Sequence, residues 1–175
     1  MKYIVLDIET SNLDMEAEGL TFGNPEGWNT ACVSLYDIWQ GEAYDSGMEL
    51  HFVSDPDWLV SQDTDLENYS LTPLAHLADT LERYFNRGYT LVTKNGYHFD
   101  LPILAKPLEE GGADAANVIN RYELDDRHID ICRLLTDKYG FRFSLQNLVR
   151  SVLGEEESKS MSAALAPVEW DAGNF

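Results

Sequence analysis

The sequence predicts a single α/β domain built around a mixed β-sheet. Its 175 residues are 44% hydrophobic, which is enough for one sizeable core but short for two domains. Apolar runs of strand length alternate with segments whose apolar residues recur at helical spacing. Two of the runs adjoin as a hairpin and predict antiparallel strands, while the alternation of strand and helix predicts parallel ones.

The predicted strands are short apolar runs bounded by polar or turn-forming residues. The first meets acidic residues at Asp7, and the second and third flank Gln40 and Gly41 as a hairpin. A polar loop precedes the hairpin at residues 11–29, and an acidic surface insertion follows it at residues 54–70. The predicted strands are residues 2–6, 30–39, 42–53, 89–94 and 127–130.

Four helices are predicted from caps, breakers and apolar periodicity. The first has Thr72 as its N-cap and Pro73 in its first turn. Pro107 is expected to kink or end the second. Ser144 caps the last helix and Gly154 stops it. The predicted helices are residues 73–87, 99–110, 131–139 and 145–153.

Charge and cysteine content limit the classes of function. The net charge of −19 repels a polyanion at long range and argues against a basic surface that grips duplex DNA. A solvated acidic surface and a substrate other than a long nucleic acid both remain possible explanations. Cys32 and Cys132 have no paired cysteine or zinc-spaced histidine and are predicted to be buried reduced thiols. A signal peptide and an apolar run of roughly 20 residues are both lacking, which predicts a soluble cytoplasmic protein.

Two carboxylates follow the first predicted strand. Asp7 and Glu9 are two positions apart, so they project to the same side while Ile8 packs into the core. Carboxylates held so close repel each other unless a cation lies between them, and hard oxygen ligands suit Mg²⁺ or Mn²⁺. Taken alone, the pair is equally consistent with a strand that ends in solvent.

A third carboxylate follows a later strand. Asp100 lies near the start of a predicted helix, at the carboxyl end of the strand at residues 89–94. Sites in open α/β sheets collect at this position, next to the end of the first strand. The sequence therefore predicts that Asp7, Glu9 and Asp100 converge. His98, near the same helix start, is expected at the surface.

These motifs resemble those of a known family. Residues 7–10 (Asp-Ile-Glu-Thr) and 95–100 (Asn-Gly-Tyr-His-Phe-Asp) resemble the first and second motifs of the DnaQ-like (DEDD) 3'-5' exonuclease superfamily. Later segments resemble the same superfamily, and they are residues 128–131, 143–154 and 166–173.

The resemblance implies an RNase H-like fold, a mixed five-stranded sheet flanked by helices and lacking the C-terminal helix. It implies removal of nucleotides from the 3' end of DNA, single-stranded in the first place with RNA possible, by two Mg²⁺ or Mn²⁺ ions. The implied catalytic metal ligands are Asp7, Glu9 and Asp100. The implied substrate contacts are Ile8, Thr10, Asn95 and Phe99.

One ligand of the family pattern is missing. The pattern requires a fourth Asp, preceded by Tyr or His, on a helix after Trp170, whereas the sequence stops at Phe175. Asp171 lies about two turns too early to be that ligand. Asp130 is more simply explained as a helix N-cap. We therefore expect a fragment that lacks its last helix, a natural short form being the other explanation, and the activity of these residues alone stays open.

Two other functions remain open. A catalytically inactive RNase H-like binding or regulatory module would account for the net charge and the missing Asp. The segment at residues 7–10 is also similar to the Asp-x-Asp-Thr of haloacid-dehalogenase-type phosphatases, although Glu9 replaces the second Asp. A polymerase or helicase partner is not predicted by the sequence.

Overall fold

The computed structural model describes residues 1–12, 16–21, 24–39, 48–62, 70–110 and 113–154. The strands are β1 (Lys2–Thr10), β2 (Thr30–Trp39), β3 (Met48–Val53), β4 (Leu71–Pro73), β5 (Thr90–Thr93) and β6 (His128–Asp130). The helices are α1 (Pro56–Gln62), α2 (Leu77–Asn86), α3 (Asp100–Glu110), α4 (Ala113–Leu124), α5 (Ile131–Tyr139) and α6 (Leu145–Leu153). A 3-10 turn at Leu74–His76 leads into α2.

All six strands belong to one mixed sheet in the order β4-β3-β2-β1-β5-β6. β2 is antiparallel to β1 and β3, whereas β1, β5 and β6 run parallel to one another. The carboxyl ends of these three parallel strands therefore lie at the same end of the sheet, which we call its carboxyl end. The mixed sheet is confirmed, but the expected count of five strands is wrong because β4 pairs in parallel with β3. Its Pro73 is tolerated because a sheet edge does not need every N–H donor.

One face of the sheet carries the hydrophobic core. Ile4, Leu6 and Ile8 of β1 point into this core, together with side chains of α2, α3 and α4. Each fully buried aliphatic side chain contributes about 1.5–3 kcal/mol relative to an exposed one. Asp7 and Glu9 alternate with these residues and therefore project from the opposite face. The expected burial of Ile8 is confirmed.

Several predicted boundaries are wrong, for local reasons. β1 continues to Thr10 instead of ending at Leu6, because its last residues pair with β2. α2 begins at Leu77 and not after Thr72, because residues 71–73 join the sheet. Pro107 lies inside α3 and does not end it. α4 was not predicted at all, although its buried residues recur at helical spacing, and they are Val118, Ile119 and Tyr122.

The acidic insertion and the thiols also differ from expectation. Residues 56–62 form α1, whose start is capped where Asp55 Oδ1 accepts the Trp58 N–H at 2.9 Å. Residues 40–47 and 63–69 lie outside the described residues. Both cysteines are free, and Cys132 is buried, whereas Cys32 is only half-buried. Within the described residues, no helix is long and apolar enough to cross a membrane.

Arg127 joins β6 to the end of α2. Its guanidinium donates to the backbone oxygens of Phe85 and Tyr89, the latter at 2.8 Å and 3.2 Å. The same group lies over the Phe85 ring, 3.9 Å from the ring centre, and more distantly over the Tyr122 ring. A planar guanidinium can donate several hydrogen bonds while it stacks, which an ammonium cannot do.

Substitution of Arg127 is therefore expected to weaken the domain. Arg127→Ala should lower the free energy of unfolding by about 2 kcal/mol, because it removes charge-assisted hydrogen bonds and a ring contact. Arg127→Lys should recover only part of this loss. Urea unfolding followed by circular dichroism measures both. Arg87→Ala, at an exposed neighbouring arginine, is the control, and an equal loss in that variant would contradict the assigned role.

Candidate active site

Asp100 and Asp7 lie on two neighbouring elements at the carboxyl end of the sheet. Asp100 is the first residue of α3 and is only 4% exposed, whereas Asp7 is exposed on β1. Burial, followed by the negative charge of Asp7, raises the pKa of Asp100 to about 7. Hydrogen bonds from the backbone of Asp100 and Ile8 oppose part of this rise in pKa. Asp7 is therefore close enough for its charge to act on Asp100, while their shared role as metal ligands stays a prediction.

Glu9 lies on the same face of the sheet as Asp7. It pairs with Cys32 on the neighbouring strand β2. Burial, followed by the charge of Glu9 and then of Asp7, raises the pKa of the Cys32 thiol to about 11. The thiol therefore stays protonated near neutral pH. Cys32 is a neighbour of Glu9 that sequence reasoning missed, because its position depends on the pairing of β2 with β1.

The described residues do not assemble all three carboxylates into one group. Among them, no cluster of three or more His, Cys, Asp or Glu side chains is placed to hold a metal ion. Asp7 is electrostatically coupled to Asp100, and Asp7 and Glu9 are both coupled to Cys32. The role of Glu9 as a metal ligand stays a prediction.

The donor chemistry of the Asp7 and Asp100 pair fits a divalent cation. Both are hard oxygen donors of the kind that Mg²⁺ and Mn²⁺ prefer. Burial and then the negative charge of Asp7 raise the pKa of Asp100, and a cation between the two carboxylates would favour both ionised forms. These two residues would hold the ion, with Glu9 as the expected third ligand.

Asp130 holds the loop between β5 and α3. Its Oδ1 accepts the N–H of Asn95 at 2.9 Å, and its Oδ2 accepts the N–H of Tyr97 at 3.0 Å. Oδ1 also accepts the N–H groups of Cys132 and Arg133, which confirms the predicted N-cap of α5. Burial alone would raise the pKa of Asp130, but these backbone donors outweigh it and hold the pKa below its usual value.

The same loop is constrained at Gly96. A Cβ built on Gly96 would lie 2.4 Å from the Cβ of Thr93, at the end of β5. Asn95 adopts a positive φ of 68°, which is uncommon outside glycine and is better tolerated by asparagine than by most residues. The close approach at Gly96, the positive φ of Asn95 and the hydrogen bonds to Asp130 thus restrict the conformation of the loop that leads to Asp100.

The predicted substrate contacts occupy different environments. The Ile8 side chain is buried, so only its main chain is available at the site. Thr10 is half-buried at the end of β1, after an irregularity in the β1–β2 register. Phe99 is half-buried and packs edge-to-face on Trp28 with ring centres 5.1 Å apart. The Asn95 side-chain oxygen accepts Arg142 Nη2 at 2.9 Å. Their roles in substrate binding stay predictions.

Two histidines lie near the carboxyl end of the sheet. His98 is exposed, as expected, and contacts the ring of Tyr97. His128 Nε2 lies 2.8 Å from Thr93 Oγ1, and its Nδ1 contacts Glu123. This chain of contacts crosses from α4 to β5 and braces the start of the loop. Trp170 and Asp171 lie outside the described residues.

The sheet order and the placement of the helices define an RNase H-like fold. Solved structures of exonuclease I share this fold. The complex of E. coli exonuclease I with a dA16 oligonucleotide is 13% identical with a TM-score of 0.56, and the match covers 98% of this chain and 40% of that one. The zinc-bound form of the E. coli exonuclease I complex with single-stranded DNA is 12% identical with a TM-score of 0.55, over 98% and 40%.

A product-bound structure of exonuclease I is also similar, at 12% identity and a TM-score of 0.54, over 98% of this chain and 42% of that one. This chain thus spans about two fifths of the length of the matched chains. At this level of identity the similarity shows the fold. No protein-family model matches the sequence. Curated protein sequences give no match either.

Proposed function

We propose that these residues form the nuclease domain of a metal-dependent 3'-5' exonuclease that acts on single-stranded DNA. The observation that carries the proposal is the buried carboxylate of Asp100 at the start of α3, near enough to Asp7 of β1 for the Asp7 charge to raise its pKa. It occurs in a fold shared with exonuclease I, whose solved structures include complexes with single-stranded DNA. Asp7 lies on β1 and Asp100 follows β5, and these two strands pair in parallel, which supports the proposal.

Each residue of the proposed site has its own role in the reaction. Asp7 and Asp100 provide oxygen ligands from two rigid elements, and Glu9 is the proposed third. Divalent ions held there would activate a water and stabilise the leaving 3' oxygen. The backbone N–H of Ile8 helps to orient Asp100, and Phe99 and Asn95 line the approach for the strand. A fourth carboxylate is expected C-terminal to Trp170, outside the described residues.

Cleavage of labelled DNA tests the proposal directly. A 5'-labelled single strand incubated with the protein and Mn²⁺ or Mg²⁺ should shorten progressively from its 3' end, and a chelator should stop the reaction. A 3'-labelled strand should release its label at once. Duplex DNA and single-stranded RNA of the same sequence establish the preferred substrate. Chelator-insensitive degradation would contradict the proposed chemistry.

The alternative is an inactive RNase H-like binding module. It is favoured by the finding that, in the part of the chain that the structure describes, no group of three or more His, Cys, Asp or Glu side chains is placed to hold a metal ion. The two functions differ in what a divalent ion does to stability, because an ion that binds only the folded state stabilises it.

Metal binding is expected to raise the melting temperature. At a Mn²⁺ concentration of about a hundred times the dissociation constant, stabilisation is about 2.7 kcal/mol. For a domain of this size that corresponds to about 5–10 °C. Differential scanning fluorimetry with and without chelator measures the shift. Asp7→Asn should lose it and Asp79→Asn, at an exposed aspartate of α2, should keep it. No shift in the unsubstituted protein would favour the inactive module.

A further inference from the structure

The end of α5 and the loop that follows it expose a cluster of aromatic side chains. Tyr139 is 52% exposed and Phe141 is 57% exposed. Both contact the half-buried Phe143, with ring centres 5.8 Å and 4.5 Å from it. Exposed aromatic side chains of this kind form a surface on which nucleobases can stack.

Cations accompany these rings. Arg142 lies between Phe141 and Phe143 in sequence and is exposed. Lys138 Nζ lies 5.2 Å from the centre of the Tyr139 ring. Residues 131–153 contain four of the twelve Lys and Arg residues of the chain and one of its thirty-one Asp and Glu residues. The strong acidic excess of the protein therefore does not extend to this segment.

The aromatic loop is continuous with the candidate active site. Arg142 Nη2 donates to the side-chain oxygen of Asn95, in the loop that leads to Asp100. Asn95 and Arg142 both line an open pocket of about 350 Å³, whose other lining residues include Tyr97, His98 and Arg133 and also the acidic residues Asp130 and Asp137. Tyr97 is 45% exposed and has the guanidinium of Arg133 5.4 Å from its ring centre. A strand that leaves the site along this pocket would reach the rings next.

We propose that residues 139–143 form a platform for single-stranded DNA, on which bases stack against Tyr139 and Phe141 while Arg142 contacts the phosphates. The inference rests on the proposed function for the identity of the nucleic acid. It extends that function from the 3' end to the strand upstream of it. Charge complementarity favours a polyanion over a protein partner, because cations are interleaved with the exposed rings. Local attraction of this kind also offsets the repulsion expected from the net charge of −19.

Binding without cleavage isolates the platform. The affinity of the full chain for a fluorescein-labelled oligothymidylate is measured by anisotropy in chelator, where no degradation occurs. Tyr139→Ala and Phe141→Ala should each weaken binding about tenfold, the scale for loss of one base-to-ring stack. Phe141→Leu should weaken it similarly, because leucine keeps apolar bulk without a π-face. An abasic strand of equal length should bind the unsubstituted protein weakly and show no further loss in the variants.

Controls separate the platform from general effects. Trp58→Ala removes a 40% exposed ring from α1, near β4 at the far edge of the sheet, and should leave affinity unchanged. Arg142→Gln should reduce the slope of log affinity against log salt by about 0.7, the value for one phosphate contact on a single strand. Circular dichroism confirms that each variant is folded.

The outcomes distinguish this inference from the proposed function. Unchanged affinity in all three aromatic variants would overturn the platform, even if the protein degrades DNA. Loop-dependent binding without metal-dependent cleavage would uphold the platform and overturn the exonuclease. If sedimentation shows instead that Phe141→Ala dissociates a dimer without affecting DNA binding, the rings are a contact between two copies and the platform is wrong.

Discussion

Asp7→Asn and Asp100→Asn are each expected to lower the rate of 3' shortening of single-stranded DNA by more than about a hundredfold. Loss of a group that merely orients a metal ligand costs about 10–100-fold, and these two residues are the proposed ligands themselves. Substitution by asparagine keeps the shape of the side chain and removes only its charge. The initial rate of shortening of a 5'-labelled strand, with saturating Mn²⁺, measures the effect.

The Asp100→Asn variant also separates catalysis from folding. Asp100 is buried beside the charge of Asp7, and burying an ionised carboxylate without a cation is unfavourable. In chelator the variant should therefore melt at the same or a higher temperature than the unsubstituted protein, while its activity is lost. Asp79→Asn, at an exposed acidic residue, should change neither quantity. Full activity in Asp100→Asn would remove Asp100 from the proposed site.

Residues whose environment is set by local sequence could be predicted. Alternation along β1 was enough to place Ile8 in the core and Asp7 and Glu9 on the other face. The bounds of α5 and α6 were also predictable, because side-chain caps at Asp130 and Ser144 and the glycines that follow both helices mark them.

Contacts that depend on tertiary register could not be predicted in the same way. The position of Cys32 beside Glu9 follows from how β2 pairs with β1, and no local pattern gives that register. The packing of Trp28 on Phe99 joins segments seventy-one positions apart. β4 was missed because three residues are too short to show periodicity, and Pro73 at its end is typical of a helix start as well.

Asp130 was predicted only as a helix cap, and its second role has measurable consequences. Asp130→Ala is expected to lower the free energy of unfolding by about 3–4 kcal/mol, because four backbone donors lose a charged acceptor. Asp130→Asn should cost less. Its side-chain oxygen can still accept at the Oδ1 position and keep the cap of α5, but its amide would face the Tyr97 N–H, donor against donor. Urea unfolding measures both losses.

The asparagine variant should also lose activity out of proportion to its stability. Tyr97 lies in the loop that leads to Asp100, so release of that loop displaces a proposed metal ligand while α5 stays capped. A drop in cleavage rate at full Mn²⁺ saturation, under conditions where the variant is fully folded, is expected. Asp125→Asn, at an exposed aspartate directly after α4, is the matched control. Normal cleavage by folded Asp130→Asn would limit Asp130 to capping.

Low pH should remove the contribution of Asp130 to the free energy of unfolding. Its pKa is lower in the folded protein than its usual value, so the unfolded chain takes up the proton first as the pH falls. The stabilisation is therefore complete above the unfolded pKa of about 3.9 and is lost as the pH falls through the lower folded value. The difference in unfolding free energy between the unsubstituted protein and Asp130→Ala should be constant near neutral pH and shrink in acid. If this difference in unfolding free energy stayed constant at acidic pH, the charge of the Asp130 carboxylate would not stabilise the loop.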